Sequence, residues 1–398
     1  MTAQSRLFSA LQQRLENLKE KNLYRHLRTI ESPQGPWVML AGQRLLNLCS
    51  NNYLGLSSHP QVKEAAVQAI QQWGCGSGAS RLVCGNFSLH EVLEGRLANF
   101  KGTEAALLYS SGYTANTGII PALVSRRDFV FSDELNHASI IDGCRLSQAR
   151  VLIFRHNDME SLEKKLRWAS DTSSAARKLI VIEGVFSMDG DLAPLPELVE
   201  LSEKYESLLM VDEAHATGAL GPGGRGVIGV FGLERRIPII MGTLSKALGC
   251  SGGFAAGSRE LVAFLINTSR SFIYTTALPL VTAATALAAL DVLHGDPSLP
   301  LRLQEHASYL RCQLNRLGYN TLNSQTQIIP VVVGDAARTL EMSHLLLKEG
   351  VLAVPIRPPT VPEGTCRIRI TVTSSHTRED LDFAVRAFEK AGRSLGII

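Results

Sequence analysis

Four side chains of this 398-residue chain, Lys246, Asp212, His215 and His137, have types and positions that could do chemistry together. Lys246 stands in Met241-Gly-Thr-Leu-Ser-Lys-Ala-Leu-Gly249, directly after an apolar run and among small residues. Such a lysine has little aliphatic surface to lie on and would present its amine at the floor of a cleft. Partial burial and nearby positive charge favour the deprotonated amine, which adds to carbonyls. Asp212 follows the apolar run 208–211, where a carboxylate needs a partner to offset its desolvation. The protonated nitrogen of a pyridine ring is one such partner, and the charge pair would strengthen that ring as an electron sink. His215 would reach the ring's phenolic oxygen, and His137, in Leu135-Asn-His-Ala-Ser139, would stack flat on its face. Each residue also has a plainer reading: a surface lysine, an aspartate capping the next helix, and histidines that only hydrogen-bond. The order of the residues weighs against the plain readings. Asp212 and Lys246 follow consecutive apolar runs, downstream of the small-residue turn Tyr109-Ser-Ser-Gly-Tyr-Thr-Ala-Asn116, whose N–H groups at a helix start suit a phosphate.

The elements that must position these residues read as short apolar runs alternating with helical patterns. The runs are 105–109, 129–131, 151–154, 179–182, 208–211 and 237–241. Uniformly apolar runs separated by helices predict a mostly parallel sheet covered on both faces, an α/β fold. Ligands in such folds bind beyond the carboxyl ends of the strands, where the polar residues above fall. Later runs at 328–333, 351–354 and 366–371, with helices near 340–348 and from about 378, predict a second, smaller α/β domain. The proline-rich loop 355–362 would face the main site as a rigid segment. A single core rarely grows beyond about 250–300 residues. The chain is therefore divided into an N-terminal helix and arm (1–45), a large domain (46–285) and a small C-terminal domain (286–398). Leu7, Leu11, Leu15 and Leu18 give the first helix an amphipathic spacing.

Composition narrows the class. The formal charge is only +3, with 45% hydrophobic and 19% charged residues, so nothing favours nucleic acid or a membrane surface as partner. The N-terminal stretch is polar, and the apolar stretch 277–290 is too short to span a bilayer, so a cytoplasmic location is expected. Seven scattered cysteines without a CxxC pair predict buried free thiols and no metal site. Two motifs are set aside. Asp212-Glu-Ala-His215 matches part of an ATPase signature, but no GxxxxGK[ST] loop accompanies it. Gly221-Pro-Gly-Gly-Arg-Gly226 fits GxGxxG by letter, but it neither follows a strand directly nor opens a clear helix, and it reads as a flexible glycine loop.

Longer motifs add an identification. Asn51-Asn-Tyr-Leu-Gly-Leu56, Asn136-His-Ala-Ser-Ile-Ile-Asp-Gly143, Glu183-Gly-Val-Phe-Ser-Met-Asp-Gly190, Val211-Asp-Glu-Ala-His-Ala-Thr-Gly218 and Thr243-Leu-Ser-Lys246 closely resemble the α-oxoamine synthases. These are fold-type I pyridoxal-phosphate enzymes, and the resemblance covers essentially the whole chain. It implies pyridoxal 5'-phosphate held as a Schiff base on Lys246, which then acts as the base at the amino acid's Cα. It implies ring contacts from His137 (stacking), Asp212 (ring nitrogen), and Ser187 and His215 (phenolic oxygen), with Glu183 ordering that network. Gly112, Tyr113 and Thr243 would hold the phosphate, joined by Tyr274 from the second subunit of a homodimer with shared sites. Arg369 would hold the amino-acid carboxylate, with Asn51 nearby, and Arg25, Arg357 and Thr360 would face the acyl donor or the closing small domain. The implied reaction is decarboxylative condensation of an amino acid with an acyl thioester, delivered on CoA or a carrier protein. Arg357, in Ile356-Arg-Pro-Pro-Thr-Val-Pro-Glu-Gly-Thr365, suits a longer acyl chain ending in a carboxylate, which favours alanine with a pimeloyl thioester, as in biotin synthesis. Glycine with acetyl-CoA is the alternative within the family. An aminotransferase or aldolase on the same fold, and a non-enzymatic binding protein, lie further off.

Overall fold

A computed structural model of the chain describes residues 2–398. It divides into two compact units, one made of residues 1–50 with 305–398 and the other of 51–304. The segment drawn above as a separate arm thus shares a unit with the C-terminal region. Strand pairing explains why. β1 (Trp37–Leu40) and β2 (Gln43–Asn47) form an antiparallel hairpin. Its two-residue turn, Ala41-Gly42, has positive φ at both positions, the geometry that matches strand twist.

The larger unit is built on seven strands: β3 (Ala105–Tyr109), β4 (Phe129–Asp133), β5 (Arg150–Phe154), β6 (Lys178–Glu183), β7 (Leu208–Asp212), β8 (Ile239–Thr243) and β9 (Gly253–Gly257). They lie in the order β3-β9-β8-β7-β6-β4-β5. β5, β4, β6, β7 and β8 run parallel, and β9 is antiparallel to both β8 and β3. The parallel strands are apolar on both faces, and Leu179, Ile180, Val181 and Ile182 are completely buried, as helices on both sides require. One face packs on the helices Gly112–Leu123, Ala138–Ser147 and Arg259–Thr268 through Ile119, Ile120, Ile140 and Leu265. The apolar-run reading missed β9. Its sequence, Gly-Phe-Ala-Ala-Gly, lacks β-branched residues, but all five residues are buried.

In the other unit β10 (Ile328–Gly334), β13 (Cys366–Thr371) and β12 (Val354–Ile356) form one antiparallel sheet. Pro330 sits on the edge strand β10, the position in a sheet that tolerates a missing N–H. The run 351–354 splits in two. β11 (Val351–Leu352) pairs in parallel with β2, and β12 pairs with β13. Helices Ala336–Lys348 and Arg378–Ser394 complete the small α/β arrangement. In the N-terminal helix Ala3–Glu20 no residue is buried, so its leucine stripe is uncovered within the chain.

The seven cysteines are all free, but the expectation that they are buried needs correction. Cys75, Cys84 and Cys312 are exposed, and only Cys144 and Cys366 are buried. A thiol lying off the core-facing side of its segment carries no burial signal in its spacing. Among the described residues no helix is long and apolar enough to cross a membrane.

Candidate active site

Parallel strands deliver side chains to one edge, and here the polar residues end the strands. Glu183 closes β6 and Asp212 closes β7, directly opposite each other in register. Thr243 closes β8, and Lys246 follows three residues later. His137 is the N-cap of Ala138–Ser147, in the connection that leaves β4. Gly112 is the first residue of Gly112–Leu123, which Ser111 caps by accepting from the Thr114 N–H at 3.1 Å. The first N–H groups of such a helix have no partner within it. A Cβ on Gly112 would lie 3.6 Å from Thr243 Cβ, so the helix start and the end of β8 are side by side. Gly253 makes this possible: a Cβ there would meet the Ser111 carbonyl at 2.6 Å and the Gly112 nitrogen at 2.7 Å.

Asp212 is buried, and its carboxylate accepts from the Asn116 amide at 2.8 Å and the Ala214 N–H at 2.8 Å. Both partners are neutral. The same Asn116 nitrogen donates to Ser139 Oγ at 2.9 Å, and Ser139 Oγ lies 2.8 Å from His137 Nδ1. His137 is exposed as a residue, yet partial desolvation holds its imidazole below the usual histidine range. The Asp212 charge opposes that shift and the Lys246 charge reinforces it. His215 is buried, its Nδ1 2.7 Å from the Tyr53 hydroxyl, which donates on to Asn51 Oδ1 at 3.1 Å. Glu183 is buried with Oε1 lacking a hydrogen-bond partner. Burial and the Asp212 charge push its carboxyl well above the ordinary range, against Lys246.

The structure thus gathers Gly112, His137, Glu183, Ser187, Asp212, His215, Thr243 and Lys246 within one unit, each of them at a strand end or in the few residues that follow one. Asn51, Tyr113 and Tyr274 belong to the same unit. Tyr113 turns its hydroxyl to Asp142, and Tyr274 is 71% exposed with the Arg270 guanidinium over its ring. Arg25, Arg357, Thr360 and Arg369 belong to the other unit. There Arg357 is buried and donates to the Asn22 carbonyl, and Arg25 donates to the Pro358 carbonyl at 3.3 Å. Burial and the Arg25 charge lower the Arg357 pKa. Arg369 lies buried on β13.

Sequence reasoning missed Asn116, Ser139 and Tyr53, the residues that hold Asp212, His137 and His215. All three lie inside the motifs given above, but an uncharged polar residue in a helix or loop carries no signal of its partner. The glycine loop 221–226 also needs correction. It opens the short helix Val227–Phe231 and wraps the buried carboxylate of Glu213, which would lie 1.9 Å from a Cβ on Gly226. Lys101 Nζ neutralises that carboxylate at 2.6 Å.

Pyridoxal phosphate fits these residues. The deciding observation is Asp212, a buried carboxylate at a strand end with neutral hydrogen-bond donors, which leaves its charge suited to a cationic ring nitrogen. The Gly112 helix start beside Thr243 supplies donors for a phosphate.

Comparison with known proteins agrees. The family model for aminotransferase class I and II matches residues 43–388. An 8-amino-7-oxononanoate synthase of Geobacter sulfurreducens is 52% identical over 386 residues, covering 96% of this chain and 98% of the relative. One from Thermoanaerobacter pseudethanolicus is 49% identical over 388 residues, covering 98% of each. Among solved structures, a serine palmitoyltransferase from S. paucimobilis with a bound PLP–myriocin aldimine superposes with a TM-score of 0.93 at 33% identity, covering 100% of both chains. An 8-amino-7-oxononanoate synthase from Francisella tularensis superposes at 0.76 and 27% identity, covering 89% of this chain and 99% of that one. The chain belongs to the aminotransferase class I and II family and, within it, to the pyridoxal-phosphate-dependent α-oxoamine synthases.

Proposed function

We propose that this protein condenses L-alanine with a pimeloyl thioester, releasing carbon dioxide and the free thiol, as the C-acyl transfer step of biotin synthesis. Identity of 52% and 49% to two 8-amino-7-oxononanoate synthases over nearly the whole chain carries the choice of reaction. The strand-end cluster supports the assignment of roles. Bound pyridoxal phosphate supplies an electron sink for negative charge at the amino acid's Cα. Asp212 would keep the ring nitrogen protonated, His215 and Ser187 would hydrogen-bond the phenolic oxygen, and Glu183 would order that side of the site. Gly112, Tyr113 and Thr243 bind the phosphate, and Tyr274 serves the site of a second copy in a homodimer. Lys246 would hold the cofactor covalently, and its amine, freed when the amino acid's own amine takes over that linkage, would take the Cα proton. His137 covers the ring and donates toward the thioester carbonyl oxygen. Arg369 and Asn51 orient the alanine carboxylate, and Arg25, Arg357 and Thr360 meet the acyl chain. The protein works in the cytoplasm on CoA or carrier-protein thioesters, with the unit of residues 51–304 as the cofactor domain and the unit of 1–50 with 305–398 as the closing one.

Lys246→Ala tests the assignment. It removes the absorbance of the cofactor–lysine linkage near roughly 420 nm, a general property of that chemistry, and an unchanged band would overturn it. Thiol release measured side by side with alanine plus pimeloyl-CoA and glycine plus acetyl-CoA tests the substrates. Faster turnover of the second pair refutes the proposed one.

A further inference from the structure

We propose that Asn116 and Ser139 are positioning residues that lock His137 as the neutral tautomer protonated on Nε2 and tie it to Asp212. The inference deepens the reading above, on which it rests for the role of His137.

The direction of each hydrogen bond follows from what each group can do. An ionised Asp212 only accepts, so the side chain facing it at 2.8 Å must present the Asn116 NH2 group and not its oxygen. The carboxylate thereby fixes an amide orientation that atom positions alone leave open. The second hydrogen of that NH2 group goes to Ser139 Oγ at 2.9 Å. With its oxygen accepting, the Ser139 hydroxyl has its own hydrogen left to donate, and His137 Nδ1 lies 2.8 Å away. The Ser139 backbone N–H points at the same nitrogen at 3.2 Å. A backbone N–H cannot accept, so Nδ1 must hold a lone pair, and the single ring proton of a neutral imidazole sits on Nε2.

Packing keeps this chain in place. Asn116 is completely buried and Ser139 almost so. The helices that carry them approach closely because Gly143 has no side chain, and a Cβ there would lie 2.8 Å from the Asn116 carbonyl oxygen. His137 therefore presents a hydrogen-bond donor to the region above the ring and no base. It suits polarising a carbonyl oxygen in the bond-forming step and is unsuited to taking the Cα proton, which leaves that task to Lys246.

The test uses the full-length holoenzyme labelled with ring-15N histidine, with the His137 signals assigned by their loss in His137→Gln. The wild type is expected to show Nδ1 in the unprotonated range and Nε2 in the protonated range. Asn116→Ala frees the Ser139 hydroxyl to turn and Ser139→Ala deletes it, which leaves the more distant backbone N–H, at 3.2 Å, as the one fixed donor to Nδ1. Both variants are expected to admit a detectable fraction of the Nδ1-protonated tautomer and to lower kcat for thiol release about tenfold or more, with KM for the thioester little changed. Ser139→Thr, which retains the hydroxyl, restores the wild-type pattern, and the cofactor band reports folding in every variant. A protonated Nδ1 in the wild type, or tautomers unchanged in both alanine variants, overturns the inference even where thiol release is normal. Absence of the cofactor band or of thiol release in the wild type would instead overturn the functional reading.

Discussion

His156 offers a prediction whose size can be worked from the structure. It follows β5 and bridges two carboxylates: Nδ1 meets Asp133 Oδ1 at 3.0 Å and Nε2 meets Asp191 Oδ2 at 2.8 Å. Its ring stands edge-on to Phe186 with centroids 4.4 Å apart, so it clamps the turn 186–191 that carries Ser187. Burial alone would lower its pKa, but hydrogen bonds to both aspartates and their charges overcome burial and push it from 6.5 to about 10. At ~1.36 kcal/mol per pH unit of displacement, the whole effect corresponds to at most about 5 kcal/mol. The side chain keeps 23% exposure, and solvent screening reduces this to roughly 2–3 kcal/mol. Because the folded-state pKa is the raised one, this stability is fully present below about pH 6.5 and is lost as pH rises through about 10. Urea unfolding of wild type and His156→Gln, followed by far-UV circular dichroism at about pH 6 and about pH 9.5, measures it. The variant should be less stable by roughly 2–3 kcal/mol at the lower pH, and most of that gap should close at the higher one. A gap that is independent of pH, or that widens, refutes the charged-imidazole clamp.

Other predictions concern neighbouring features. Lys101→Met strands the Glu213 carboxylate, whose side chain is completely buried, and should cost about 3–5 kcal/mol, read as a fall in Tm that Lys101→Arg does not match. Gly226→Ala places a Cβ 1.9 Å from Glu213 Oε2 at a φ of +104° and should destabilise by at least about 3 kcal/mol; a Tm within a degree or so of wild type would show that the loop 221–226 can move aside. Arg357→Ala should raise KM for pimeloyl-CoA about tenfold while sparing shorter monocarboxylic thioesters; equal losses for both would remove Arg357 from the acyl site.

Strand ends were legible because a parallel sheet writes its order into the sequence. Runs buried on both faces stop where a charged or hydroxylated residue appears, so Glu183, Asp212 and Thr243 announce their positions. β9 was not legible, since four of its five residues are Gly or Ala, which carry little strand preference, and its pairing with β3 and β8 is decided at a distance. The same holds for the split of 351–354 between two sheets, which depends on the remote partners β2 and β13.

Residue types and their order by themselves determined which side chains can do chemistry and which fold brings strand ends together, because burial demands periodicity and burial of charge demands a partner. Only the tertiary structure decided the partners: that Asn116 holds Asp212, that Ser139 turns the His137 ring, and that Tyr53 holds His215. A hydrogen bond depends on angstrom-scale distance and on donor direction, and neither is encoded in the spacing of residues along a chain. Gly143 and Gly253 lie between the two. Each is visible as a missing side chain, but the close backbone approach that needs the glycine exists only once the helices and sheet have packed.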